Sequence, residues 1–146
     1  ALGGTSAANP GYLGTFKEYS STKVGKLSAY NAGILKFKEG KFQEALDLLD
    51  QFSSDNKTLV AMKFGAMADA NSGLNKNDEA LALLDKAATA SDDPYTSYYF
   101  TRKAGILALG MKKEVEAKKY FATIDEKYQD YDNGMSDSYI EMTKYY

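Results

Sequence analysis

The sequence predicts an all-α chain built from repeated helix pairs, and three observations carry that prediction. First, Gly33, Ala68 and Gly105 are each followed twelve positions later by alanine, at Ala45, Ala80 and Ala117. Those alanines stand 35 and then 37 residues apart, near the roughly 34-residue spacing of a helix–turn–helix repeat. Second, large or apolar residues follow each alanine at four and seven positions: Leu49 and Phe52, Leu84 and Ala87, Phe121 and Ile124. Spacings of three and four place them on the alanine's own helix face. Third, valine and isoleucine are scarce while Ala, Leu, Lys and Glu are common, which favours helix over strand.

Small residues at the first and thirteenth positions of each unit let two helices approach near the short end of the usual interaxial range, roughly 8–10 Å. The glycine or alanine of the first helix is expected to leave a notch for the alanine of the second. No pair buries its apolar face alone, so neighbouring pairs must stack.

Taken in order, the elements begin with a helix from Pro10 to about Ser20, with Asn9 as its cap and proline at the first helical position. The first pair spans about 23–38 and 42–52 and turns at Gly40. The second spans about 58–72 and 78–90, turning through Gly73, Leu74, Asn75, Lys76 and Asn77. Asp93-Pro94 is another cap-then-proline signal and opens the third pair, about 94–109 and 113–128, which turns after Gly110. A last helix over about 136–145 closes the stack, with Tyr139, Tyr145 and Tyr146 free to pack on the third pair or on a neighbour. The chain reads as one domain, 1–146, with no linker or low-complexity segment.

The first unit, from Ala29-Tyr30-Asn31-Ala32-Gly33 through Glu39-Gly40-Lys41-Phe42-Gln43-Glu44-Ala45-Leu46, resembles the tetratricopeptide repeat. Asn77-Asp78-Glu79-Ala80-Leu81 and Glu116-Ala117-Lys118-Lys119-Tyr120-Phe121 look like degenerate second and third copies, with Asn75 and Lys112 where the turn glycine belongs. The resemblance implies a right-handed α–α superhelix of three repeats (about 26–59, 61–94 and 98–131), flanked by an N-terminal helix and a C-terminal capping helix. The lead-in Gly11-Tyr12-Leu13-Gly14, Glu18-Tyr19-Ser20 and Thr22-Lys23 is similar to bacterial membrane-anchored ancillary subunits of the Sec translocon. That similarity implies an extracytoplasmic domain on the periplasmic face of the inner membrane, held by an anchor preceding Ala1. No run in this chain approaches the roughly 20 apolar residues that span a bilayer, and residues 1–9 lack the pattern of a signal peptide.

Eighteen basic against twenty acidic residues give a net charge of −2, which argues against electrostatic nucleic-acid binding. The chain has no histidine and no cysteine, so histidine-based triads, cysteine nucleophiles and the commonest zinc sites are excluded. Asp47 and Asp50, or Asp92 and Asp93, can be drawn as carboxylate pairs, but a solvated face and a helix cap account for them better. Asp130, Asp132 and Glu141 match the first, third and twelfth positions of a calcium loop. However, Gly134 and Met135 stand where that loop needs an oxygen ligand and a glycine. The sequence therefore predicts no catalytic residues, no cofactor and no metal.

The expected function is protein or peptide binding in a concave groove; the alternative is a structural subunit that self-associates through its terminal helices. In this type of repeat the first helix of each pair lines the inner face. Helical steps from Gly33 and its equivalents then give the groove residues. They are Tyr30, Asn31, Ile34 and Phe37 in the first repeat, Met62, Ala66 and Asp69 in the second, and Tyr99, Arg102, Lys103 and Ile106 in the third. The family's clamp for a C-terminal carboxylate puts Lys and Asn where Tyr30 and Ile34 stand, so that mode of binding is not expected.

Overall fold

A computed structural model describes residues 23–146. The helix expected over Pro10–Ser20 lies outside the described residues. Within them the protein is all helical, with no strand. Six helices form three successive pairs: α1 (Lys23–Lys38) with α2 (Phe42–Asp50), α3 (Lys57–Gly73) with α4 (Asn77–Ala90), and α5 (Pro94–Gly110) with α6 (Glu114–Lys127). A one-turn helix, α7 (Gln129–Asp132), which the sequence did not lead us to expect, precedes the closing helix α8 (Asp137–Thr143).

Within each pair the helices run antiparallel. Tyr30 of α1 meets Phe52 beyond the end of α2, and Phe37 meets Phe42 at its start, with ring centroids 5.2 and 5.5 Å apart. The three turns share one backbone geometry. At Gly40, Asn75 and Lys112 the chain is left-handed, with φ of 76°, 60° and 58°. Each of those residues donates its N–H to the carbonyl three before it, and the following lysine donates to the carbonyl five before it. This is the Schellman arrangement, which satisfies the carbonyls left over at a helix end. Lys41, Lys76 and Lys113 then open α2, α4 and α6 with nearly identical dihedrals. The third turn follows Gly110, the last helical residue, and runs through Met111 and Lys112, with Lys112 in the left-handed position. The caps at α3 and α5 are side-chain caps: Asn56 Oδ1 accepts from Leu59 N–H at 3.1 Å, and Asp93 Oδ2 from Thr96 N–H at 2.8 Å.

The repeat is also written in contacts between residues 33–35 apart. Lys57 pairs with Asp92 (2.7 Å), Thr58 shares a hydrogen bond with Ser91 (3.0 Å), Asp69 pairs with Lys103 (2.7 Å) and Asp78 with Lys113 (2.6 Å). Equivalent positions of successive pairs therefore lie side by side. The same step ties α5 to the C-terminal segment, through Tyr98 to Asp132 (3.0 Å) and Arg102 to Ser136 (3.1 Å).

Ala45, Ala80 and Ala117 are fully buried, as are Leu49, Phe121 and Ile124, while Leu84 is nearly so. Each large side chain taken from water contributes about 1.5–3 kcal/mol. The expected fit of an alanine into the Gly33 and Gly105 notches needs correction. A Cβ built on Gly33 would lie 2.8 Å from Leu49 Cγ, and one on Gly105 2.9 Å from Phe121 Cζ. Thus the side chain four residues beyond the alanine fills the notch, and the nearest atom of Ala45 to that Cβ is its carbonyl oxygen, at 3.3 Å.

At the C-terminal end Tyr139 stacks on Phe121, with centroids 5.2 Å apart, and seats α8 on α6. Tyr145 is 82% exposed.

Candidate partner-binding groove

The first helices of the three pairs, α1, α3 and α5, line one shallow groove of about 220 Å³. Tyr30 and Ile34 come from α1, Met62, Ala66 and Asp69 from α3, and Tyr99 and Lys103 from α5, all of them expected from the sequence. Asn31, Phe37, Arg102 and Ile106 are not in its lining. Phe37 packs against Phe42 at the first turn. Arg102 is turned toward the C-terminal segment, where Nε donates to Ser136 Oγ at 3.1 Å and a terminal nitrogen to the Met135 carbonyl at 3.4 Å. Ile106 lies farther along α5 and Asn31 is half-buried beside the groove's lining.

Two lining residues were missed, Gly65 and Phe100. A Cβ on Gly65 would lie 2.2 Å from Phe100 Cε1, so the missing side chain is what admits the ring. A glycine inside a helix costs about 1 kcal/mol relative to alanine, and that is the one sequence signal for this position. Phe100 is buried, and its ring meets Tyr99 edge-on, with centroids 5.1 Å apart and planes at 82°. The groove thus has an aromatic floor under two exposed apolar side chains, Met62 at 44% and Tyr99 at 46%.

The groove's charges neutralise one another. Lys103 Nζ reaches Asp69 Oδ1 at 2.7 Å and lies 5.7 Å from the Tyr99 ring centroid, within cation–π range. Both partners of the ion pair are partly solvated, so it contributes at most about 1 kcal/mol. Partial burial raises the Tyr30 hydroxyl above the usual tyrosine pKa and keeps it neutral. At the α2–α3 connection, Lys63 donates to the carbonyls of Asp50 (3.1 Å) and Phe52 (2.7 Å), and burial lowers its pKa.

A second, larger cleft of about 440 Å³ lies at the N-terminal ends of α1 and α3. Lys23, Lys26 and Leu27 form one wall, Leu59 the other, and Phe52 and the 53–56 connection the base. Sequence reasoning did not anticipate it, because its base comes from a connection whose path periodicity does not describe.

Several of the carboxylates considered as chemical groups have structural partners. Asp47 accepts from Gln43 (3.1 Å), Asp92 pairs with Lys57, and Asp93 caps α5. Asp132, the third position of the calcium-loop match, is buried and accepts from Tyr98 Oη (3.0 Å), Ser136 Oγ (2.6 Å) and Ser136 N–H (2.8 Å). Burial, followed by the bond to Asp132, raises the Tyr98 pKa. Among the described residues no three acidic side chains gather as a metal site, and no helix is long and apolar enough to cross a membrane.

Comparison of the chain with protein-family models, curated protein sequences and solved structures finds no match in any of the three.

Proposed function

We propose that this protein is a non-catalytic interaction module that holds a segment of a partner protein in the α1–α3–α5 groove. One observation carries the reading: three helices from successive units converge on a groove that leaves Met62 and Tyr99 exposed above a packed Phe100. Aromatic and long flexible side chains over a firm floor are the usual anchors of a protein interface. A tetratricopeptide-like right-handed superhelix is part of the proposal, supported by the shared turn geometry and by the ties between residues 33–35 apart. So is a place in a bacterial cell-envelope assembly, which rests on the resemblance of the lead-in and first repeat to Sec-translocon ancillary subunits.

A second reading, self-association through the C-terminal end, is favoured by the exposure of Met135 (60%), Met142 (42%) and Tyr145 (82%).

Photo-crosslinking tests the choice. A benzophenone side chain at Tyr99 or Met62 should capture one discrete partner in source cells, while the same group at Val115, 70% exposed on α6, should not. Equal capture at Val115, or none at Tyr99 and Met62, refutes the groove. Homodimeric products at Met142 establish the second reading instead.

A further inference from the structure

The cleft at the ends of α1 and α3 and the groove farther along the same helices are successive stretches of one seam. Leu27 faces Leu59 in the first, and Tyr30 and Ile34 face Met62 and Ala66 in the second. We propose that this seam takes a short amphipathic helix whose two apolar anchors are seven residues apart and whose end over the cleft is acidic. This deepens the interaction reading and rests on it.

The spacing follows from helix geometry. From Leu27 to Ile34, and from Leu59 to Ala66, is seven residues, so the two stretches are centred about 10 Å apart at 1.5 Å per residue. A helical ligand spans that distance between positions i and i+7, which share a face. An extended ligand covers it in about three residues at roughly 3.3 Å each, and its side chains at i and i+3 point to opposite sides. Leu27 is 49% exposed and Leu59 36%, with the buried Phe52 ring between them, so the cleft offers an apolar seat for one anchor. Met62 and Tyr99 offer the other.

Charge sets the direction. In the groove Lys103 is neutralised by Asp69. In the cleft Lys23 and Lys26 make no ion pair within the described residues, and Asp55 is the single acid among the lining side chains. Among the described residues the cleft lining is therefore net positive and the groove lining neutral. A ligand with acidic residues flanking the anchor at the cleft end complements that asymmetry; one with basic residues there meets like charge.

Fluorescence anisotropy with the full chain tests this. Two labelled 14-residue peptides carry Leu and Phe at i and i+7, one with glutamates flanking the leucine and one with lysines. The glutamate peptide should bind about tenfold more tightly at low salt, a gap that narrows as salt screens it. The double charge reversal Lys23→Glu with Lys26→Glu should invert the preference, whereas Tyr99→Ala should weaken both peptides alike. Equal binding of the two peptides, or a preference untouched by the charge reversal, overturns the acidic ligand while the groove stands. Binding that depends on the lysines but not on Tyr99 overturns the groove reading, and binding of neither peptide overturns both. A concentration-dependent dimer in sedimentation that the charge reversal abolishes makes the occupant a second copy, which also overturns the proposal.

Discussion

Gly65→Ala adds one methyl where the Phe100 ring of α5 lies against α3, and the structure gives the size of the conflict. The new Cβ would lie 2.2 Å from Phe100 Cε1, 2.6 Å from Cζ and 3.3 Å from Cδ1. Carbon atoms in contact sit roughly 3.5–4.0 Å apart, so the ring must retreat by about 1 Å or more. It has little room, being 6% exposed and set edge-on against Tyr99. Overpacking of this kind costs about 1–3 kcal/mol. Alanine returns up to about 1 kcal/mol through its helix propensity. The net expectation is a loss of about 0.5–2 kcal/mol, read as a drop of about 2–6 °C in the midpoint of thermal unfolding followed by circular dichroism. The control is Phe100→Leu, which alone removes buried contacts and costs about 1–2 kcal/mol. Combined with Gly65→Ala it makes room for the methyl, so the double variant should be more stable than the sum predicts by about 0.5–2 kcal/mol. A Gly65→Ala protein that melts higher, or two substitutions that simply add, would refute the wedged ring and with it the groove's floor.

At the third turn Lys112 holds a left-handed conformation that costs an L-residue roughly 1–2 kcal/mol. Lys112→Gly should stabilise the chain by about 0.5–1 kcal/mol after the extra freedom of glycine in the unfolded state is subtracted, and a lower unfolding midpoint in urea would contradict it. Ser136→Ala leaves the buried Asp132 carboxylate without the 2.6 Å donor and takes from Arg102 Nε its acceptor. The loss should be about 1–3 kcal/mol and should appear as faster hydrogen exchange confined to α7 and α8; unchanged protection there would show that the network does not hold the C-terminal segment.

The paired helices were legible because their cause is local and periodic. Small residues at fixed spacing mark where two helices approach, and a cap such as Asp93 marks where a helix begins; the Asn56 cap emerged only in the structure. The turns at Asn75 and Lys112 looked like departures from the repeat, yet they keep the conformation of Gly40. Two backbone hydrogen bonds at each helix end hold that shape, and packing on both sides tolerates its cost. Conversely, Gly33 and Gly105 were recognised as notches while their occupants were misjudged, since which neighbour reaches across depends on side-chain length and on the offset between helices.

In the groove, Met62, Ala66, Asp69, Tyr99 and Lys103 followed from helical steps along single elements. Arg102 lies on the same helix and did not join them, because Ser136 and Met135 arrive from 34 and 33 residues away and capture its guanidinium. Phe100 entered because Gly65, on another helix, leaves it space. The sequence by itself determined the helical class, the pairing of neighbouring helices and the apolar face of each, all consequences of spacing along one chain. Tertiary structure alone decided which side chains fill the notches, where Arg102 turns, and that a second cleft forms between the starts of α1 and α3, because those depend on distances between residues that periodicity does not relate.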